Sequence, residues 1–463
     1  MATQLSDSEM SKNPYKTIAK LAWPQIIMML FHFMIGFVDV WVAGQINREV
    51  QATLGLITQV LFFFLVVGQA ISNGAIASIA QSLGAKKHSR ARHYVGLCIL
   101  LATGAATLMA LFIAPFKSSF IKALQVPLPL QEICEYFIEI YLYMLPAYYL
   151  LIITNAVFRA KKEVIYPLYS MILVMVINTI GDLGLGLGMW GMPNMGYKGL
   201  AWATFGSIIA GTLFNIVMLI KTGTICKGCF PPVRWVKAAM PYLLKVAWPS
   251  GLMQVVWHSG YMVLYAIVGS LASGSVIALA GMATGIRIES ILFLPAFAFN
   301  MTASILVGHY LGAGKPEEAK SFGFKVWAVG CLFTSGIALA LWPFLDIVVS
   351  FIAHDAAVEK EAMSYLFFNV LAIPFTFTTM TLAGALGGAG ATLYNFFIMG
   401  LATWFLRLPL AYILGHEIMN SSEGIWISML ASQFLQAALA LYIYSFKNWE
   451  RFSMIKKRKA QAE

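Results

Sequence analysis

Asp182 lies in the apolar stretch Met175–Leu187, MVINTIGDLGLGL, with Asn178 one helical turn before it. At that spacing the two share one face of a helix. A carboxylate deep in such a run costs a few kcal/mol even on lenient insertion scales, so it is rarely idle. Asp39 is the other aspartate in the middle of a comparable run. Two carboxylates at close quarters do not both stay ionised without a cation. Such a pair can take up a proton, or bind Na+ with help from neighbouring amide and hydroxyl oxygens. The alternative is that each acid pairs with a basic residue for structure alone.

The rest of the chain reads as the scaffold that brings these acids together inside a bilayer. Of its 463 residues, 60% are hydrophobic and only 11% charged, and mean hydropathy is +0.77. Soluble domains carry roughly 25% charged residues, so the composition is that of an integral membrane protein. Twelve apolar runs are long enough to span: 21–43, 54–80, 94–114, 134–157, 165–188, 199–220, 240–268, 275–308, 322–352, 363–386, 394–414 and 424–446. The expected fold is an all-α polytopic membrane protein. Residues 1–20 are polar and mildly amphipathic, and no signal peptide is expected before the first span.

The net charge of +11 does not point to nucleic acid, because Lys and Arg cluster in short loops between spans. GAKKHSRARH (84–93), RAKKE (159–163) and the segment 221–245 are basic, whereas 188–199 and 268–275 are nearly free of charge. This alternation predicts an inner-membrane, multi-pass protein with both termini cytoplasmic. Cys226 and Cys229 form a lone CxxC in a basic loop with no further ligands nearby, which reads as two loop thiols. No phosphate-binding loop and no nucleophile–base set is present, so neither an ATP-driven pump nor an enzyme is expected. A channel or receptor would have no need of paired halves and would show a selectivity filter, which is absent.

The sequence repeats itself. KLAWP at Lys20–Pro24 returns as KVAWP at Lys245–Pro249, and LGAKKHSRA at Leu83–Ala91 returns as LGAGKPEEA at Leu311–Ala319. Both copies start on the inside, so the expectation is two six-helix lobes in parallel repeat around a central cleft, the architecture that alternating access requires. The boundaries expected are 1–220 for the N-terminal lobe, 221–239 for a cytoplasmic linker, 240–446 for the C-terminal lobe and 447–463 for a basic cytoplasmic tail.

At this point the chain resembles the MATE (multidrug and toxic compound extrusion) family, within the larger MOP flippase superfamily. The resemblance rests on AWP opening each half, Val38–Gly44, Ala80–Ala85, Asn155–Ala160, Ile177–Asp182, Gly196–Thr204, Arg287–Phe297, Val307–Ala319 and Trp404–Tyr412, in that order. It implies a V-shaped cleft and the export of small organic cations driven by H+ or Na+. It also implies a cation site in the N-terminal lobe, which by motif falls on Asp39, Asn178, Asp182 and Thr204. No cofactor is implied beyond the coupling ion, and a monomer is usual for such families. Where some relatives carry an acid in the seventh span, this chain has Trp257 and His258, and GGAGAT stands at 387–392, which puts a second coupling site in doubt.

Depth gives an independent test. At 1.5 Å per residue, Asp39, Asp182 and Thr204 all fall roughly 6–9 Å below the outer boundary. Pro24 is a candidate bend in the first span, or a proline tolerated in its first turn. His32, on a similar face to Asp39, is a candidate for the substrate pocket or a proton relay, with a packing role as the alternative. Asn155, by family position, faces the same cleft or makes an interhelical hydrogen bond. In the eighth span Glu289 is a candidate for holding a cationic substrate, while Arg407 in the eleventh reads as structural. The rival reading, a flippase for a lipid-linked saccharide, calls for several basic residues in the cleft-forming spans.

Overall fold

A computed structural model describes residues 13–123, 126–226, 228–353 and 355–454. The basic tail expected over 447–463 lies outside the described residues from 455 onward. Twelve helices are long and apolar enough to cross a membrane, and no strand occurs among the described residues. They are α1 (Pro14–Ile46), α2 (Arg48–Gly84), α3 (His88–Ser119), α4 (Leu128–Ala160), α5 (Ile165–Gly186) and α6 (Tyr197–Lys221) in the first half. The second half holds α7 (Val233–Gly269), α8 (Ser275–Gly312), α9 (Pro316–Ile352), α10 (Ala356–Ala389), α11 (Thr392–Ile418) and α12 (Ser422–Phe446). In lipid every backbone polar group must find its partner within the segment, so an apolar run of this length becomes a helix. Each run read from the sequence falls on one helix. The fifth overran its helix by two residues, because the chain leaves α5 through Gly188 at φ 74°. Most helices outlast their apolar runs, since polar ends such as Lys16, Arg48 and His88 continue the coil beyond the hydrocarbon.

The described chain packs as two units, one spanning Ile27–Ala247 and the other running from Trp248 onward together with the start of α1 up to Ile26. Both exchange points lie beside an AWP proline. Up to Ile26, α1 belongs with the second unit, where Gln25 Nε2 donates to Thr302 Oγ1 at 2.9 Å. Before Pro249, α7 belongs with the first, where Gln81 Nε2 donates to Tyr242 Oη at 3.0 Å.

Within each unit small residues let backbones approach. In the second, a Cβ on Gly384 or Gly388 of α10 would meet the Asn300 and Ser304 carbonyl oxygens of α8 at 2.1 Å. In the first, Ser170 of α5 donates to the Gly211 carbonyl of α6 at 3.2 Å, and a Cβ on Gly181 would lie 2.6 Å from that of Ala203. Such close approach replaces the hydrophobic drive that lipid cannot supply between helices.

Candidate functional site

The α5 sequence GDLGLGLG, with a glycine at every second place after Asp182, does not hold an ordinary α-helix. It widens into a π turn over Asp182–Gly186 that begins at the acid itself. Gly199 of α6 packs directly on this turn: a Cβ there would lie 2.4 Å from the Leu185 carbonyl carbon and oxygen. Because backbone rests on backbone, the position of Asp182 is set by the main chain of α5 and α6. π turns of this kind recur at functional sites.

Asp182 and Asn178 are fully buried, and Asp39 of α1 is half-buried beside them. Asp39 lies within electrostatic range of Asp182 and close to the Asn178 amide. Even so, both Asp182 carboxylate oxygens, both Asn178 amide atoms and Asp39 Oδ1 are enclosed without a partner at ordinary hydrogen-bond geometry among the described residues. No Lys or Arg forms an ion pair with either acid among the described residues. Enclosed polar atoms in native proteins are nearly always satisfied, so five at one spot mark a place for something else.

Thr204 stands one residue back. Its hydroxyl donates to the Leu200 carbonyl of α6 at 3.0 Å, and the side chain of Tyr141 on α4 lies near it. Tyr141 is buried and within electrostatic range of Asp39 and Asp182, so Thr204 reaches the acids through this phenol. Tyr148, also on α4, is close to Asp39.

The other candidates lie elsewhere. His32 is on the same helix as Asp39, at an exposed position of α1 and with no charged partner among the described residues. Asn155 is buried and accepts from Asn215 of α6 at 2.8 Å, while the same amide reaches Thr154 at 3.0 Å. That is an interhelical clamp at the far end of α4 from Tyr141. Glu289 belongs to the second unit, buried on α8, where Tyr365 of α10 donates to its Oε2 at 2.6 Å.

A family model, MatE, matches residues 24–183 and again 249–413, each match opening on the proline of an AWP. The chain belongs to the MatE family. It is a multi-pass, MATE-type secondary transporter, and the sequence repeat is the family's own. A probable multidrug resistance protein NorM of Thermotoga maritima is 24% identical over 96% of this chain and 95% of its own. The multidrug resistance protein PmpM of Pseudomonas aeruginosa is 26% identical over 94% of this chain and 92% of its own. Among solved structures, the outward-facing conformation of a multidrug resistance MATE family transporter of the MOP superfamily superposes with a TM-score of 0.88. It covers 98% of this chain and 100% of that one at 17% identity, a likeness of fold.

Sequence reasoning missed Tyr141 and Tyr148. They lie two helical turns apart and share a face of α4, which was a usable signal. Tyr143 and Tyr149 surround them in YLYMLPAYYL, and nothing in one sequence says which phenols face the acids.

Proposed function

We propose that this MATE protein is an antiporter that exports small organic cations in exchange for H+ or Na+, with the coupling ion held by Asp39, Asn178, Asp182 and Thr204. The observation that carries this reading is a pair of carboxylates, Asp182 buried and Asp39 half-buried, with no Lys or Arg paired to either among the described residues. A structural pair would be neutralised by Lys or Arg; this one is left for a mobile cation. The printed names of the multidrug resistance relatives support the class of cargo.

The residues act in concert. Asp39 and Asp182 supply the charge, Asn178 supplies an amide oxygen, and Tyr141 ties Thr204 to the pair. Binding of the ion draws α1 toward α5, and release lets them separate. A cationic substrate competes for the same negative charge, so each ligand weakens the other. Transport requires that the two conformations differ in affinity for ion and substrate. Pro24, where α1 passes from one packing unit to the other, is the natural bend, and His32 lies on the segment that bend would move. The lobes of the sequence repeat act as the moving bodies of a monomer in the plasma membrane, termini in the cytoplasm.

The flippase reading draws less support, because an anionic cargo calls for several basic residues in the cleft-forming spans, where the first half offers acids and amides and Arg287 and Arg407 are the exceptions. The test is efflux of ethidium from proteoliposomes under an imposed pH gradient and, separately, a Na+ gradient. Acceleration by one gradient supports antiport and names the ion. Indifference to both overturns it.

A further inference from the structure

The two halves can be aligned by contacts that recur in each. Lys162 at φ 64° ends the turn after α4, and Gly390 at φ 81° ends the turn after α10. Pro146 interrupts α4 as Pro374 interrupts α10. Gly199 rests on the Leu185–Gly186 peptide, and Gly424 rests on the Leu414–Gly415 peptide in the same way. Ser207 donates to the Thr204 carbonyl at 2.8 Å, and Ser432 to the Met429 carbonyl at 2.7 Å.

Counting along each helix from these anchors, and from the AWP prolines Pro24 and Pro249 for α1 and α7, gives the second-half counterparts of the candidate ion site. Asp39 corresponds to Leu264, Asp182 to Ala411, Thr204 to Met429 and Tyr141 to Asn369. None of the charge survives. Asn178, however, corresponds to Arg407.

Arg407 is fully buried and its surroundings are built for it. Its Nε donates to Ser432 Oγ at 2.7 Å, and its guanidinium lies 5.7 Å from the Tyr261 ring centre. Glu289, on α8, is the acid in electrostatic range, held by Tyr365, which also senses Arg407. Tyr261 of α7 lies within electrostatic range of both Arg407 and Glu289, and Tyr265 of the same helix lies within range of Tyr261. Glu361, one turn before Tyr365 on α10, is engaged by Trp426 Nε1 at 3.0 Å.

We infer that Arg407 is a tethered cation that permanently fills the second half's counterpart of the ion site, with Glu289 as its counter-charge, so that only the first half binds a coupling ion. This rests on the coupling role proposed for Asp39 and Asp182. Its consequence is a latent site: without the Arg407 charge, Glu289 is a buried carboxylate beside the Tyr365 hydroxyl, and it must recruit a proton or a metal cation.

The experiment uses purified full-length protein in detergent, with radioactive sodium by scintillation proximity and proton uptake by an indicator dye as probes. Asp39→Asn should remove saturable binding of the coupling ion; full retention there defeats the first-half reading and leaves the second-half claim separately measurable. Adding Arg407→Gln to Asp39→Asn should restore binding of one ion per chain, Arg407→Lys should not, and Glu289→Gln on top of Arg407→Gln should remove it again. A monodisperse Arg407→Gln protein that gains no binding, or whose gain survives Glu289→Gln, overturns the inference. If Arg407→Gln does not fold, the Arg407-intact protein still decides: any binding left in Asp39→Asn that Glu289→Gln abolishes shows an open second site and overturns it.

Discussion

Gly199 sits so close to Leu185 that no side chain separates the first turn of α6 from the π turn carrying Asp182. A methyl group at Gly199 would have to displace the Leu185 peptide itself, which is main chain and cannot rotate away. Gly199→Ala should therefore destabilise the protein by about 1–3 kcal/mol, the usual range for overpacking. It should also displace Asp182 and weaken coupling. Gly424→Ala, whose methyl would meet the Leu414 carbonyl at 2.5 Å, should cost similar stability with no loss of ion affinity. Thermal unfolding and ion binding measured on both variants check this; equal effects on ion binding would contradict the special role of the first π turn.

Tyr141 is the link between Thr204 and the acid pair. Tyr141→Phe keeps the ring and removes only the hydroxyl, a hydrogen bond worth about 1 kcal/mol. The expected result is a roughly fivefold loss in coupling-ion affinity with little change in thermal stability. Titration of the purified variant checks it, and unchanged affinity would show that Thr204 acts independently of the phenol.

Asn215 holds the pair Thr154 and Asn155 with one amide group. Asn215→Ala leaves the Asn155 carbonyl oxygen buried without its donor and should cost about 1–3 kcal/mol in stability. Ethidium affinity should stay as in the wild type if Asn155 is a clamp. A selective loss of ethidium binding, with stability intact, would return Asn155 to the substrate pocket.

Legibility differed by level. The twelve spans could be read because each needs about twenty apolar residues in succession, a signal that one chain carries without help. The AWP and LGA repeats revealed two halves, yet the exchange of α1 and α7 between packing units at Pro24 and Pro249 was hidden. A sequence repeat records descent of the halves and not which helix end packs on which bundle. Asp39, Asn178 and Asp182 stood out because polar groups are expensive in apolar runs. Tyr141 did not, since a tyrosine is unremarkable in a span and only its rotation on α4 aims it at the acids. The glycines of GDLGLGLG leave the chain free to form the π turn, but the sequence does not show that Gly199 packs on it. Arg407 reads as a structural residue from the sequence and donates to the Ser432 hydroxyl, while its correspondence to Asn178 emerges only when the contacts of Gly199 and Gly424 are superposed.

The central claim is that Asp39 and Asp182 together carry the coupling ion. Its most direct test is gradient-driven ethidium transport in proteoliposomes holding equal amounts of folded wild-type, Asp39→Asn or Asp182→Asn protein. Each amide variant should lose transport driven by the pH or Na+ gradient that drives the wild type. Wild-type rates in either variant would contradict the account.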